Sequence, residues 1–285
     1  MRRIAWHRVA VPLAAFLLTG PGLAGCGSFL SSLSSASSSA SAAHGSAPAQ
    51  QGSSGQVDDL QQGNHAPMAP PSGFNCPNQS LRGCFKESQM QTYFEYVLPF
   101  IDKFYNSTWN GLPLPKNVYF IHDGAKIQEA CQDQNSQPVT GNDISYNYCP
   151  ADDNVYVGQR LAWLLYSQAG DVAPATGLAH EFGHNVQTQT GVPAPQSDAE
   201  TLVHENQADC VSGAFLGWAN NERLLQQGDE PVLQRYLELI SSSENDPNRT
   251  HGDFQERGGA LELGGEKGIA ACNAYYPDNP IITSS

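Results

Sequence analysis

Apolar side chains at Met90, Tyr93, Phe94, Val97, Phe100, Ile101 and Phe104 recur three and four residues apart. That is the period of one buried helix face, so the spacing predicts a helix with an aromatic core stripe and Pro99 as a place for a kink. A second helical pattern runs through Leu178, Phe182 and Val186. Asp171 is a plausible N-cap for it, Pro174 fits a first turn, and Gly191 with Pro193 marks the stop. After the breaker-rich residues 191–195, a further helix is expected from near Asp198 through Trp218, and another over residues 232–240. Residues 117–121 and 154–157 are short, β-branched and aromatic runs that read as strands.

The polar positions within these helices carry the candidate chemistry. His180 and His184 lie four residues apart, on the face opposite Leu178, Phe182 and Val186, so one side packs while the other presents two imidazoles. With Glu181 between them, the segment spells His-Glu-x-x-His, in which two histidines hold a metal ion and the glutamate acts on water. A catalytic zinc site usually takes three protein ligands, so a third donor is expected on another element. Glu205 on the following helix is the best candidate. Asp209, four residues on, shares its face and can accept a hydrogen bond from the far nitrogen of a ligating histidine. Zinc follows from two imidazoles and a carboxylate, a set that also accepts other divalent ions. His122 and His204 have no metal-compatible partner on their own elements, and His204 points about 100° away from Glu205 around a helix.

The residues 180–187, His-Glu-Phe-Gly-His-Asn-Val-Gln, followed by Glu205-Asn-Gln-Ala-Asp209-Cys210, resemble the bacterial putative neutral zinc metallopeptidases of the glutamate-zincin group. Further matches are Tyr148-Cys149-Pro150-Ala151-Asp152, the strand-like 154–157, Thr250-His251-Gly252 and Cys272-Asn273-Ala274-Tyr275, so the resemblance spans about residues 75 to 275 in order. It implies an α+β, zincin-like domain, mostly helical, with a small sheet and an edge strand beside the active-site helix. It also implies that His180, His184 and Glu205 hold Zn2+, that Glu181 is the general base, and that Asp209 orients a ligand histidine. His251, matching the Thr-His-Gly motif, is the candidate donor to the oxyanion formed at a peptide carbonyl; an ordinary loop histidine is the alternative. Two departures stand out. Asn185 stands where a second histidine is expected after the motif, and the stretch after His251 keeps Arg257 but lacks the aromatic residue expected soon after that arginine, which bears on substrate contacts and on His251.

The chain's start sets the compartment. Arg2, Arg3 and Arg8 precede a short apolar run from Val9 to Leu18, then Leu23-Ala24-Gly25-Cys26. This is the layout of a secretory signal, with a box resembling that of bacterial lipoproteins, in which Cys26 is lipidated; ordinary cleavage nearby is the alternative. The expected organisation is a signal over residues 1–25, a lipidated Cys26 with a flexible tether over 26–73, and a metallopeptidase domain over 74–285. Residues 27–57 contain no Lys, Arg, Asp or Glu and are dominated by Ser, Ala, Gly and Gln, a composition unable to bury enough surface to order itself. The other six cysteines favour three disulfides in an exported chain. Fifteen connectivities are open to them. Cys76–Cys84, Cys131–Cys149 and Cys210–Cys272 are the preferred pairs, the last tying the chain's end to the helix of Glu205.

The formal net charge of −14 becomes three units more negative when Arg2, Arg3 and Arg8 leave with the signal. Such a surplus opposes nucleic acid and anionic headgroups, and there are no repeats, phosphate-binding glycine loop or basic-aromatic patch. The expected protein is a lipid-anchored, extracytoplasmic zinc endopeptidase acting on peptide or protein substrates. Its rivals are a scaffolding lipoprotein that keeps the zinc fold without turnover and a zinc amidase acting on cell-wall peptides. An intact Glu181 favours an enzyme, because a structural site needs ligands but no base. Oligomeric state and substrate preference are not encoded in any motif.

Overall fold

A computed structural model describes residues 56–62, 81–133, 136–226, 228–244, 246 and 249–283. The signal, Cys26, Cys76 and the tether apart from residues 56–62 lie outside the described residues, and so does the Cys76–Cys84 pairing.

The architecture mixes helices with a small sheet. In chain order it comprises β1 (Val57–Asp59), α1 (Met90–Thr108), β2 (Asn117–Ile121), β3 (Lys126–Gln132), β4 (Pro138–Asn142), β5 (Tyr146–Cys149) and β6 (Asn154–Gly158). It continues with α2 (Gln159–Gln168), α3 (Val172–Thr190), α4 (Asp198–Asn221), α5 (Asp229–Ile240) and α6 (Phe254–Lys267), then a short 3₁₀ segment Ile269–Ala274. The main sheet has the order β1-β2-β6-β5. β2 and β6 run parallel at its centre, while β1 and β5 pair antiparallel at its edges. β6 is buried at every residue, as expected of a central strand. β3 and β4 form a separate hairpin, stapled to the edge strand by the Cys131–Cys149 disulfide.

One tether expectation needs correction. Residues 57–59 are not flexible linker: Val57 pairs with Ile121 and Asp59 with Tyr119, Leu60 is buried in the core, and Asp58 Oδ2 lies 2.7 Å from His122 Nε2. Strand addition draws on backbone hydrogen bonds, to which composition is blind. The ordered domain therefore begins before residue 74.

α1 packs its aromatic stripe inward, with Tyr93, Phe94 and Ile101 fully buried, and runs on through Pro99. α3 begins and ends where the breakers predict, closing at Gly191 in the left-handed region (φ 77°). Asp171, however, makes no side-chain cap bond. Its backbone is already helical, whereas a cap residue must be extended for its carboxylate to reach back. The α4 cap is Ser197, whose side chain accepts from Glu200 N. α6 opens with a full capping box, Asp253 accepting from the backbone of Gln255 and Glu256 while Glu256 accepts from Asp253 N.

α6 is pressed against α4 with almost no space between the backbones. A Cβ on Gly264 would lie 1.8 Å from Cys210 O, so only glycine permits the approach. In α3, a Cβ on Gly183 would lie 3.0 Å from Ala208 Cα. That contact brings the helix of the two histidines close to the helix of Glu205. The Cys210–Cys272 disulfide then ties the 3₁₀ segment to the middle of α4.

Candidate active site

α3 and α4 face each other across Gly183 and Ala208, and their polar faces meet at three donor atoms. His180 Nε2 lies 3.1 Å from His184 Nε2 and 3.2 Å from Glu205 Oε2. His184 Nε2 lies 3.4 Å from Glu205 Oε1. Among the described residues, this His180-His184-Glu205 group is the one cluster able to offer three ligand atoms to a metal ion.

The outer nitrogens explain why the inner ones converge. His180 Nδ1 is 2.8 Å from Asp209 Oδ1, and His184 Nδ1 is 2.8 Å from Gln187 Oε1. Both outer atoms face acceptors, so in a neutral ring each Nδ1 carries the hydrogen and each Nε2 presents a lone pair. Two lone pairs and a carboxylate pointing at one another call for a cation. Tetrahedral zinc with bonds of about 2.0–2.1 Å spaces its ligands about 3.3–3.4 Å apart. The two nitrogens, and the carboxylate oxygen nearest each of them, sit at or slightly under that spacing, so the residues fit the ion. Burial alone would lower His180, but Asp209 and Glu205 outweigh it and raise its pKa to about 10. His184 is likewise raised against burial by Glu205, and Glu205, despite burial, is held well below the usual carboxylate range by His184 and His180.

Behind Asp209 stands Arg257 on α6. Its Nε is 2.9 Å from Asp209 Oδ2 and its second nitrogen 2.9 Å from Oδ1. Both residues are almost wholly buried. Burial would raise Asp209, but Arg257 and then His180 hold it below its ordinary value. Arg257 thus keeps Asp209 ionised to accept the His180 hydrogen.

Glu181 is buried next to the triangle, and its pKa is raised chiefly by burial, against the pull of His180 and His184. The Tyr148 backbone on the edge strand β5 works in the lowering direction too. That strand lies alongside α3: Tyr146 Oη donates to Pro174 O at 2.6 Å. Asn185 has a definite place here, since its Nδ2 donates to Asp153 Oδ1 at 2.8 Å, an acceptor shared with Tyr148 Oη. The residue standing where a histidine was expected anchors the loop after β5 to the metal helix.

His251 reaches the cluster from the loop before α6, its Nε2 3.5 Å from Glu205 Oε2 and its side chain half exposed. Desolvation lowers its pKa, against the attraction of Glu205. His204 is nearer the site than its helix position suggested. Its ring stacks on His184 at 5.4 Å between centroids with a 12° tilt, and burial followed by the His184 charge lowers its pKa to about 4. It packs as a neutral wall, and its ring is not among the converging donors. His122 pairs with Asp58, away from the cluster. Arg257 and Gln187 were not singled out in the sequence as partners of the site. The signal for Arg257 was the Asp253-x-x-Glu256 capping box, which announces a helix one turn ahead of it.

The described residues form a mixed helix-and-sheet fold whose two histidines and one glutamate could hold a metal ion. The model of a family described as "Putative neutral zinc metallopeptidase" matches residues 125–231. That range includes His180, Glu181, His184, Glu205 and Asp209 but stops short of His251 and Arg257. Curated relatives are "Uncharacterized protein YpfJ" of Escherichia coli strain K12 and its counterpart in strain O6:H1. Each is 28% identical over 152 residues, which is 45% of this chain and 53% of the relative. The chain thus spans about half the length of the curated relatives it matches. No solved structure matches.

Proposed function

We propose that this chain is a zinc metallopeptidase in which His180, His184 and Glu205 hold the ion and Glu181 moves the proton. The observation that carries the reading is the donor cluster itself: two imidazole nitrogens 3.1 Å apart, each 3.2 to 3.4 Å from one oxygen of the Glu205 carboxylate and each ring turned inward by an acceptor behind it. The match to a zinc metallopeptidase family supports the same ion and reaction class.

Bound zinc supplies Lewis acidity, acidifying water and polarising a carbonyl. Glu181, with its affinity for a proton raised by burial, takes the proton from the attacking water and passes it to the departing amine. His251, half exposed and on a different segment from the ligands, donates to the oxygen that gains charge in the tetrahedral intermediate. Asp209 with Arg257 holds His180 in place. The edge strand β5 supplies one wall.

Peptide-library hydrolysis by the zinc-loaded chain and by Glu181→Gln tests the mechanism. The variant is expected to keep its zinc and lose about 10²–10⁴-fold in turnover; equal turnover in both would remove Glu181 from the reaction. Lipidation at Cys26 and an extracytoplasmic location complete the reading. They are supported by the signal-like start and by two disulfides, Cys131–Cys149 and Cys210–Cys272, of a kind at home in oxidising compartments.

A further inference from the structure

We propose that Gln187 is a positioning residue that fixes the tautomer of His184, and that Gln207 locks Gln187 by way of the Cys272 carbonyl. One atom of the relay has a single possible role. A backbone carbonyl only accepts. Cys272 O accepts from Gln207 Nε2 at 3.1 Å, so Gln207 must turn its oxygen the other way. That oxygen accepts from Gln187 Nε2 at 3.0 Å, and His204 O accepts from the same nitrogen at 2.8 Å. Both amide hydrogens of Gln187 are then committed, by two independent acceptors. Its oxygen is left facing His184 Nδ1 at 2.8 Å, which must therefore carry the hydrogen. A neutral imidazole has only one, so Nε2 is bare and aimed at the triangle.

Water is kept from both amides, because Gln187 and Gln207 are fully buried. The carbonyl at the far end is itself held: Cys272 is bonded to Cys210, three residues beyond Gln207 on α4. The two histidines are thus oriented by different means. His180 has a charged pair, Asp209 and Arg257; His184 has a neutral relay of two amides ending on a disulfide-tied carbonyl. Orienting partners of this kind are commonly worth about 10–100-fold in metal affinity.

The proposal rests on the reading of His184 as a ligand, and its test does not. In metal-free, ¹⁵N-histidine-labelled protein at a pH where the ring is neutral, long-range ¹H–¹⁵N correlation reports which nitrogen of His184 is protonated. The expected result is hydrogen on Nδ1 in the wild type. Gln187→Met, of similar volume but without the acceptor, is expected to populate the Nε2–H form and to lose about 10–100-fold in zinc affinity by chelator competition. Gln207→Met, which touches neither donor, shifts both readouts the same way by less. A wild-type hydrogen on Nε2 overturns the proposal, as does an unchanged tautomer in Gln187→Met or, where the wild type binds zinc, an unchanged zinc affinity in that variant. If the methionine variants fail to fold, the wild-type tautomer decides alone. Hydrogen on Nδ1 in a wild type that binds no zinc would refute the metal reading and leave the relay standing.

Discussion

At the scale of single residues, the site is governed by what sits behind each donor. Arg257 shows how much depends on a residue that touches no ligand. Its guanidinium and the Asp209 carboxylate are both buried and form the same ion pair twice over. Removing one partner of such a pair leaves an uncompensated charge, a change that costs about 3–5 kcal/mol. Arg257→Met is therefore expected to lower unfolding stability by about that amount in a denaturant titration of the metal-free chain. An unchanged midpoint would mean that Asp209 does not depend on Arg257. The sign of the acid response follows from the same pair. Asp209 has a folded pKa below its ordinary value, so its share of stability is present above the unfolded pKa of about 3.9 and is lost as pH falls through the lower folded one.

Among the elements, those with a long apolar period or clear bounding breakers were legible. α1 and α5 lie where their apolar spacing puts them, and α3 and α4, buried along whole turns, are placed by the breakers that bound them. The central strands β2 and β6 were legible from their β-branched and aromatic runs. α6 was hidden by Gly258, Gly259, Gly264 and Gly265, poor helix formers taken singly. At Gly264 the reason is tertiary, its close approach to Cys210 on α4; at Gly259 a Cβ would meet nothing. β3 and β4 were hidden because their hairpin is largely exposed and is held to the sheet by the Cys131–Cys149 bond. β1 was hidden in tether-like sequence. In the site, the motif spacing singled out the residues that form the triangle and Asp209 behind them. Gln187 and Gln207 escaped notice because an amide relay depends on which residues meet across two helices, and no spacing rule encodes that.

Across the whole molecule, a surplus of acid groups and a signal-like start bear on where the chemistry takes place. No described helix is long and apolar enough to cross a membrane. In the function proposed above, attachment falls to acyl chains on Cys26. Cys26→Ala is expected to move the protein from the detergent phase to the aqueous phase; unchanged partitioning would refute lipid anchoring. The wider account stands on the centre where α3 and α4 meet. Its most direct test is zinc binding by the wild type and by Glu205→Ala, measured by equilibrium competition with a chelator of known affinity. The account predicts one zinc per chain in the wild type, and in the variant a loss of affinity beyond the roughly 10–100-fold that outer partners command. Equal affinity in the two proteins would contradict it, because the carboxylate facing both imidazoles would then not be a ligand.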